Sequence, residues 1–173
     1  MRRRLMQVPA KVCGKGGVPV APSRLKYAVW SLVSSTLAIL AIYGVAKLSG
    51  HPLLIGSFGA SAVLLFGVTD SPLAQPRNLV GGHLLSAAVA VVLVALFGSG
   101  PVTASAAVGV AIMLMNLTGT NHPPGGATAL IGVQGGAKAS FILVPVLSGV
   151  LILLLVALFT NNVVYHRRYP QRW

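Results

Sequence analysis

The chain has 173 residues, of which 55% are hydrophobic and only 8% are charged, whereas an average soluble domain carries about 25% charged residues. This composition excludes an ordinary soluble globular protein. One acidic residue, Asp70, and one cysteine, Cys13, exclude a paired-carboxylate active site, a carboxylate-rich metal site and a disulfide or zinc set built from one copy. The sequence also lacks a phosphate-binding loop and a nucleophile elbow. We therefore expect no enzyme activity, no metal and no cofactor.

The net charge of +12 is concentrated at the two ends of the chain. Seven basic residues lie in residues 1–26 and three in residues 167–172, leaving only Lys47, Arg77 and Lys138 between them. Basic flanks around an apolar body are typical of membrane topology and place both termini in the cytoplasm. A nucleic-acid-binding domain needs interleaved basic and aromatic residues, but only 6% of this chain is aromatic. We expect the lipid bilayer, and no nucleic acid, as a partner.

Composition divides the chain into three parts. Residues 1–24 are polar, basic and rich in proline and glycine, which predicts a disordered cytoplasmic tail, although an organelle transit peptide shares this composition. Residues 25–161 form the predicted transmembrane domain, and residues 162–173 form a basic cytoplasmic tail. The predicted location is the bacterial cytoplasmic (inner) membrane, with an organelle membrane as the alternative.

Four stretches approach the roughly 20 apolar residues that a transmembrane helix needs. They lie at about 28–48, 79–97, 101–118 and 140–160. Two shorter apolar segments rich in glycine, 52–67 and 122–132, lie between the first two and the last two spans. In the loop that follows the first short segment, Asp70 or Ser71 is expected to cap a short helix starting at Pro72. The predicted fold is an all-α membrane protein: a helical bundle of about four full transmembrane helices plus two short helices that are Gly/Pro-broken or re-entrant.

The two short segments resemble each other. Each starts with a His-Pro pair, at His51 or His122, and continues into Gly-Ala-Ser-Ala or Gly-Ala-Thr-Ala and then a further glycine. Because each lies between two long spans, the chain divides into two internal repeats, about 25–98 and 101–161. Two cytoplasmic termini require an even number of crossings. Four spans with two re-entrant hairpins would make the repeats parallel, whereas six crossings would make them inverted.

Most candidate substrate-binding residues lie in these short segments. A helix that begins at membrane depth directs unpaired backbone N–H groups towards a partner, for which an anion is suited. Glycines allow the backbone to approach a ligand closely, and hydroxyls donate hydrogen bonds to it. Tight packing of small residues between helices is the structural alternative. The candidates are Gly56, Ser57, Gly59, Ser61, Gly125, Gly126 and Thr128.

Three histidines, an arginine and an asparagine complete the set. His51 and His122 precede prolines at the mouths of the short helices, where an imidazole binds substrate, carries a proton or only caps the helix. His83 follows a Gly-Gly pair near the start of a span, where an interior hydrogen bond is the alternative. Arg77 is either an interfacial anchor or the positive charge at the entry of an anion path. Asn116 belongs to a polar run beside His122.

These residues resemble the HPP family of small integral membrane proteins, named for a His-Pro-Pro motif that is here His122-Pro123-Pro124. The resemblance covers most of the chain and includes residues 56–61, 72–78 and 118–130. Members are described as having about four transmembrane helices, and some cyanobacterial and plastid members are implicated in nitrite transport. The resemblance therefore implies membrane transport. Gly125 stands where a small residue such as alanine commonly follows the second proline.

Two functions from different classes remain open. The first is a membrane transporter or channel for a small inorganic anion, with nitrite as the leading candidate, because a single acidic residue leaves little negative potential to repel an anion. The second is a non-transporting membrane scaffold or regulatory subunit. A chain of this size has little interior, so a pore needs the short segments to line it or a homo-oligomer to create it. We expect a homo-oligomer, and we expect the two short segments to meet near the membrane middle around a polar cavity.

Overall fold

The computed structural model describes residues 24–53, 55–163 and 167–173, and within these residues all regular structure is helical. The helices are α1 (Leu25–Ser49), α2 (Gly56–Ala62), α3 (Pro76–Phe97), α4 (Pro101–Thr118), α5 (Pro123–Gln134) and α6 (Ser148–Val163). π-helical segments at Val63–Gly67 and Ile142–Leu147 extend α2 and precede α6, and a 3₁₀ turn occupies Pro72–Ala74. The predicted all-α class is confirmed. The predicted N-terminal tail lies outside the described residues, apart from Arg24.

Prolines and glycines set many of the helix boundaries. Helices α3, α4 and α5 each begin with proline, which suits the first turn because its missing N–H has no helical partner there. Gly50 and Gly119 end α1 and α4 in the left-handed conformation, which glycine adopts without a steric penalty. The predicted cap of the turn at Pro72 is confirmed, since the Ser71 hydroxyl accepts a hydrogen bond from the backbone N–H of Leu73.

Four helical stretches are long and apolar enough to cross a bilayer. They are Leu25–Ser49, Pro76–Phe97, Pro101–Thr118 and Ile142–Val163. These bounds agree with the four predicted spans, although the second span starts earlier than predicted because Pro76 is already its first residue. Large apolar side chains are exposed along the helices, as expected where a helix surface faces acyl chains instead of water.

The short helix α5 lies beside α3 and runs in the same direction. Near the start of α5, a Cβ added to Gly125 would lie 2.8 Å from the carbonyl oxygen of Gly82. Near its end, a Cβ added to Gly132 would lie 2.7 Å from the Cβ of Ala90. The turn that follows α5 also reaches the loop between α3 and α4. Helix α5 therefore runs towards the face at which α3 ends and does not return as a hairpin.

The other short helix, α2, runs parallel to α6 in the same way. Phe58 in the first turn of α2 packs against Gly149 near the start of α6. Near the other end, the Asn161 amide donates to the carbonyl of Leu65 at 3.0 Å. The described chain thus passes six times between its two faces, which favours six crossings over four spans with two hairpins. Three passes in each half correspond to the inverted arrangement, and the internal repeat itself stays a prediction.

Helix α1 begins and α6 ends on the same face of the molecule, here called the terminal face. The indole N–H of Trp30 donates to the carbonyl of Thr160 at 3.0 Å. The guanidinium of Arg167 donates to the carbonyls of Tyr27 and Phe66, each at 3.2 Å. These bonds fasten the start of α1, the end of the α2 extension and the segment after α6 to one another.

Residues 167–173, part of the predicted C-terminal tail, fold back onto the start of α3. The Tyr169 hydroxyl donates to the carbonyl of Ala74 at 2.8 Å, and the backbone N–H of Gln171 donates to Gln75 Oε1 at 2.8 Å. Burial raises the pKa of the Tyr169 phenol above its ordinary value, because the phenolate would lose its water. This segment therefore packs on the helices at the terminal face.

The apolar interior consists of two clusters that share helix α3. The first cluster gathers side chains of α1, α2, α3 and α6 around Phe58 and includes Leu79. The second gathers side chains of α3, α4 and α5 and includes Ala90 and Val133. Because α3 contributes to both clusters, it is the central element against which the two short helices are positioned.

The contact between α2 and α6 leads to a stability prediction. A Cβ at Gly149 would lie 2.1 Å from Phe58 Cε2, and overpacking a core costs about 1–3 kcal/mol. Gly149→Ala should therefore lower the thermal unfolding midpoint of the detergent-solubilised protein, followed by tryptophan fluorescence. Gly109→Ala is the matched control in α4, because nothing lies within 4 Å of its added Cβ. Equal midpoints for the two variants would contradict the packing of α2 on α6.

Candidate functional site

Five buried polar side chains meet where α2, α3 and α5 come together, and we name them the polar cluster: Ser57, Ser61, His83, His122 and Thr128. Ser57 is 1% exposed and the other four are 0% exposed. The two serines lie on α2, His83 lies on α3, and His122 and Thr128 lie at and after the start of α5. The prediction that the two short segments approach each other is confirmed.

Ser61 lies at the centre of the polar cluster. Its Oγ is 2.8 Å from Nε2 of His83 and 2.8 Å from Nε2 of His122. The centroids of the two imidazole rings are 4.9 Å apart, with a tilt of 56° between their planes. One hydroxyl therefore joins two imidazoles in the protein interior.

Hydrogen bonds continue outwards from both imidazoles. His83 Nδ1 lies 2.7 Å from Thr128 Oγ1, and the Thr128 hydroxyl donates to Ser57 Oγ at 2.8 Å. On the other side, His122 Nδ1 lies 2.8 Å from the carbonyl oxygen of Leu73 in the 3₁₀ turn. The polar groups thus contact one another directly, so a packed chain of hydrogen bonds stands in place of the predicted polar cavity.

Small residues allow this close approach. Ser57 and Ser61 are four residues apart on α2 and therefore share one helix face. A Cβ on Gly82 would lie 2.6 Å from the Cβ of His122, so only glycine at this position lets the start of α5 reach α3. Phe58 closes the apolar side of the polar cluster, with its ring centroid 5.5 Å from that of His83 and an angle of 70° between the two ring planes.

The start of α5 differs from the expectation of free backbone donors. Pro123 and Pro124 have no N–H group, and the N–H of Gly125 donates to the carbonyl of His122 at 2.8 Å. The first turn of this helix therefore offers no unpaired N–H group to an anion, and that prediction is wrong for α5. Gly125 instead serves the close packing of α5 on α3. The polar groups available at the polar cluster are imidazoles and hydroxyls.

Three predicted residues of the first short segment lie apart from the polar cluster. His51 is exposed after the end of α1, and Gly56 lies at the start of α2 near Ile131. Gly59 faces away from the cluster, towards an open groove of about 620 Å³ between α1 and α2. His51 follows Gly50, which ends α1 in the left-handed conformation, and therefore lies in the loop before α2. Gly59 lies two residues from both Ser57 and Ser61 and so on the opposite side of α2.

The remaining candidates lie on two other surfaces. Asn116 and Gly126 line a groove of about 660 Å³ that also reaches His122 from the outside of α4 and α5. Arg77 is exposed at the terminal face, where its guanidinium donates to the carbonyl of Thr118 at 2.9 Å. The structure therefore does not bring Arg77, Asn116 or Gly126 into the polar cluster, although Asn116 and Gly126 lie near one side of it.

Ser86 is a buried polar residue that the sequence did not single out. It is 0% exposed, and its Oγ has no hydrogen-bond partner among the described residues. It lies three residues after His83, so both side chains share the face of α3 that packs on α5. The three-residue spacing from His83 could have pointed to Ser86 in the sequence. Serine is common in apolar helices, however, and this spacing alone does not distinguish Ser86 from other residues of the helix.

The polar cluster contains no carboxylate and no thiol. Within the described part of the chain, no three His, Cys, Asp or Glu side chains are close enough to hold a metal ion. Asp70 lies at the terminal face, where its carboxylate accepts from the Gln171 amide at 3.1 Å. The polar cluster can therefore donate and accept hydrogen bonds and hold a proton, and it offers no fixed negative charge to a cation.

Comparison with known proteins decides the family, because residues 20–170 match the family described as HPP, transmembrane region. The chain belongs to the HPP family. Two relatives of Dictyostelium discoideum, both named only as transmembrane proteins, are 47% identical over 172 residues and 46% identical over 156 residues. These matches cover 92% and 83% of this chain but only 60% and 50% of the relatives. No solved structure matches the chain.

Family membership confirms the resemblance that the motifs indicated. It also confirms that the chain is an integral membrane protein. The His-Pro-Pro motif of the HPP family here occupies the start of α5, with its histidine inside the polar cluster. The two prolines fix the start of the helix and thereby the position of the imidazole against Ser61.

The hydrogen bonds of Thr128 lead to a second prediction. Thr128→Val keeps the shape of the side chain but leaves His83 Nδ1 and Ser57 Oγ without this partner. An unsatisfied buried polar group costs about 1–3 kcal/mol, so the thermal midpoint in detergent should fall. Thr36→Val, at an exposed position on α1, is the matched control and should leave the midpoint nearly unchanged. A Thr128→Val midpoint equal to that of the control would show that these contacts add nothing to stability.

Proposed function

We propose that this HPP protein transports a small monovalent inorganic anion across the membrane, with the polar cluster as the place where the anion interacts with the protein. Nitrite is the leading candidate, because the family resemblance points to it. The two short helices meet at the polar cluster from opposite halves of the chain, and matched short helices of a transporter commonly meet at the substrate site.

The observation that carries this proposal is the pairing of two buried imidazoles without a neighbouring carboxylate. Both His83 and His122 are 0% exposed, and their hydrogen-bond partners are hydroxyls and a carbonyl. An imidazolium at this depth needs a compensating negative charge, because an unpaired ion is poorly tolerated away from water. Asp70 lies elsewhere, at the terminal face. A mobile anion is the natural source of that charge.

The terminal face offers a positively charged approach. A small polar pocket of about 110 Å³ lies there, lined by Gln75, Arg77, Asn78, Gly119, Arg172 and Trp173. Two arginines at one pocket raise the local concentration of anions. This supports the predicted role of Arg77 at the entry of an anion path and adds Arg172 to it.

Anion flux into proteoliposomes tests the proposal directly. We expect nitrite, and more weakly nitrate, formate or chloride, to enter vesicles containing the purified protein faster than empty vesicles. His122→Ala should abolish this flux, and Arg77→Ala should reduce it several-fold by removing charge at the entry. Thr36→Val, at an exposed position on α1, is the control. If no anion moves faster than in empty vesicles, the protein is instead a membrane scaffold or regulatory subunit.

The pH dependence of uptake is a further prediction. If the anion needs a protonated imidazole of the polar cluster, uptake should fall as the external pH rises. The sign follows because the protonated form is lost as pH increases. Initial rates of nitrite uptake over a series of external pH values measure this effect. A rate that increases with pH over this range would contradict a role for the imidazolium.

We also propose a homo-oligomer in the bacterial cytoplasmic membrane, or alternatively an organelle membrane, with the basic ends in the cytoplasm. The described ends share one face, and the positive-inside rule assigns that face to the cytoplasm. Reporter fusions before Met1 and after Trp173 should both report the cytoplasmic side. A reporter at either end that is active only outside the cytoplasm would refute this orientation.

A further inference from the structure

Both ends of the hydrogen-bonded chain in the polar cluster terminate on acceptors. At one end, the Leu73 carbonyl can only accept, so His122 Nδ1 donates to it across 2.8 Å. At the other end, the Thr128 hydroxyl donates to Ser57 Oγ at 2.8 Å. The Thr128 oxygen then accepts from His83 Nδ1 across 2.7 Å. In this arrangement the outer nitrogen of each imidazole carries a proton.

A single hydroxyl proton then remains for two inner nitrogens. Ser61 Oγ lies 2.8 Å from Nε2 of both His83 and His122 and 3.2 Å from the carbonyl oxygen of Ser57. A serine hydroxyl has one proton, and the carbonyl can only accept it, so Ser61 donates to one Nε2 at most. If both imidazoles are neutral and keep their protons on Nδ1, as in this arrangement, each Nε2 is an acceptor and Ser61 satisfies only one of them. The other contact would place two lone pairs against each other. One additional proton on either Nε2 fills both contacts.

We propose that His83, Ser61 and His122 form a binding site for one excess proton, which the two imidazoles share and which enters together with the transported anion. When His122 carries the proton, its Nε2–H donates to Ser61 Oγ, and the Ser61 hydroxyl donates to Nε2 of His83. When His83 carries it, both hydrogen bonds are reversed. The charge moves when one Nε2 gives its proton to Ser61 Oγ while the hydroxyl proton passes to the other Nε2. Ser61 remains a neutral hydroxyl throughout, and the number of protons is unchanged.

The excess charge meets no ionic partner on the surrounding elements. Helices α2, α4, α5 and α6 and both π-helical segments contain no Asp, Glu, Lys or Arg. On α3 the only other ionisable side chain is Arg77, which is exposed and bonded to the carbonyl of Thr118. Lys26 and Lys47 lie near the two ends of α1, and Asp70 is bonded to Gln171. Within the described residues, His83 and His122 are thus the titratable groups that face each other here.

Because the excess proton has no ionic partner in the protein, its binding favours the binding of an anion. A buried imidazolium is stabilised by a nearby negative charge, so bound anion and bound proton each strengthen the binding of the other. This link rests on the proposed function, whereas the shared proton itself rests only on the contacts around Ser61. The pair would cross the membrane with no net charge.

The neutral and the protonated polar cluster have different tautomers. Without the excess proton, every contact is filled only when Thr128 turns its hydroxyl from Ser57 to His83 Nδ1. His83 then carries its proton on Nε2 and His122 on Nδ1, so the two rings are opposite tautomers. Proton binding adds one proton to His83 Nδ1, and the proton that His83 carried on Nε2 is then shared with His122 Nε2 through Ser61, so the two rings together gain one proton. Both rings therefore change in the same step.

Nitrogen-15 NMR of the histidine-labelled 173-residue chain in lipid nanodiscs tests this proposal. His83→Gln and His122→Gln assign the two rings. We expect opposite tautomers at high pH and, on acidification, one common step in which the two rings together gain one proton. Two independent steps, or a step confined to one ring, would overturn the shared site.

Ser61 variants separate a relay from a purely structural role. Ser61→Ala should split the common step into two, whereas Ser61→Thr keeps the hydroxyl and should retain it. Ser35→Ala, at a serine of α1 bonded to the carbonyl of Leu32 in its own helix, should change nothing. If Ser61→Ala does not fold, the wild-type and Ser61→Thr titrations still decide. An unchanged common step in folded Ser61→Ala would overturn the relay.

Repeating the titration with nitrite separates this proposal from the proposed function. Strict coupling predicts that the midpoint rises by about one pH unit for each tenfold increase in nitrite above its binding range. A common step that ignores nitrite would overturn the coupling. A common step in a protein that shows no anion flux in proteoliposomes would support the shared proton and refute anion transport.

Discussion

The structure depends on one constraint: two imidazoles and three hydroxyls are buried together in an apolar protein and must satisfy one another. Away from water, each unpaired polar group costs free energy comparable to a lost hydrogen bond. The contacts around Ser61 meet this demand, at 2.8 Å to each histidine. They also fix the distance between α2, α3 and α5, which provide these side chains. The same contacts therefore position the short helices and define the candidate site.

The glycines and prolines around the polar cluster serve that constraint. Gly82 and Gly125 let α5 approach α3 until His122 reaches Ser61, and the two prolines start α5 with no N–H group left to satisfy. The His-Pro-Pro motif of the HPP family thus has a physical reading in this chain. Its histidine enters the interior, and its prolines make the helix start compatible with burial.

A site built from neutral groups suits an anion that binds together with a proton, because the two charges compensate each other. The surrounding helices supply no carboxylate, and in the proposed function the imidazoles accept a proton and an anion completes the pair. Arg77 and Arg172 line a pocket at the terminal face, outside the interior, and water hydrates their charge there. Positive charge at the surface and neutral polarity inside are consistent with attracting an anion first and removing its hydration later.

The sequence alone determined the membrane class, the four long spans, the two short helices and the residue types of the site, because hydropathy, span length and proline and glycine positions are local properties. It also singled out Ser57, Ser61, His83, His122 and Thr128. Only the tertiary structure decided that these five side chains meet while His51 and Gly59 face away, since helix rotation and direction depend on packing partners. The same packing decided that α2 and α5 run through the bundle. It also decided that Ser61 contacts both imidazoles, because these contacts join residues that are far apart in the chain.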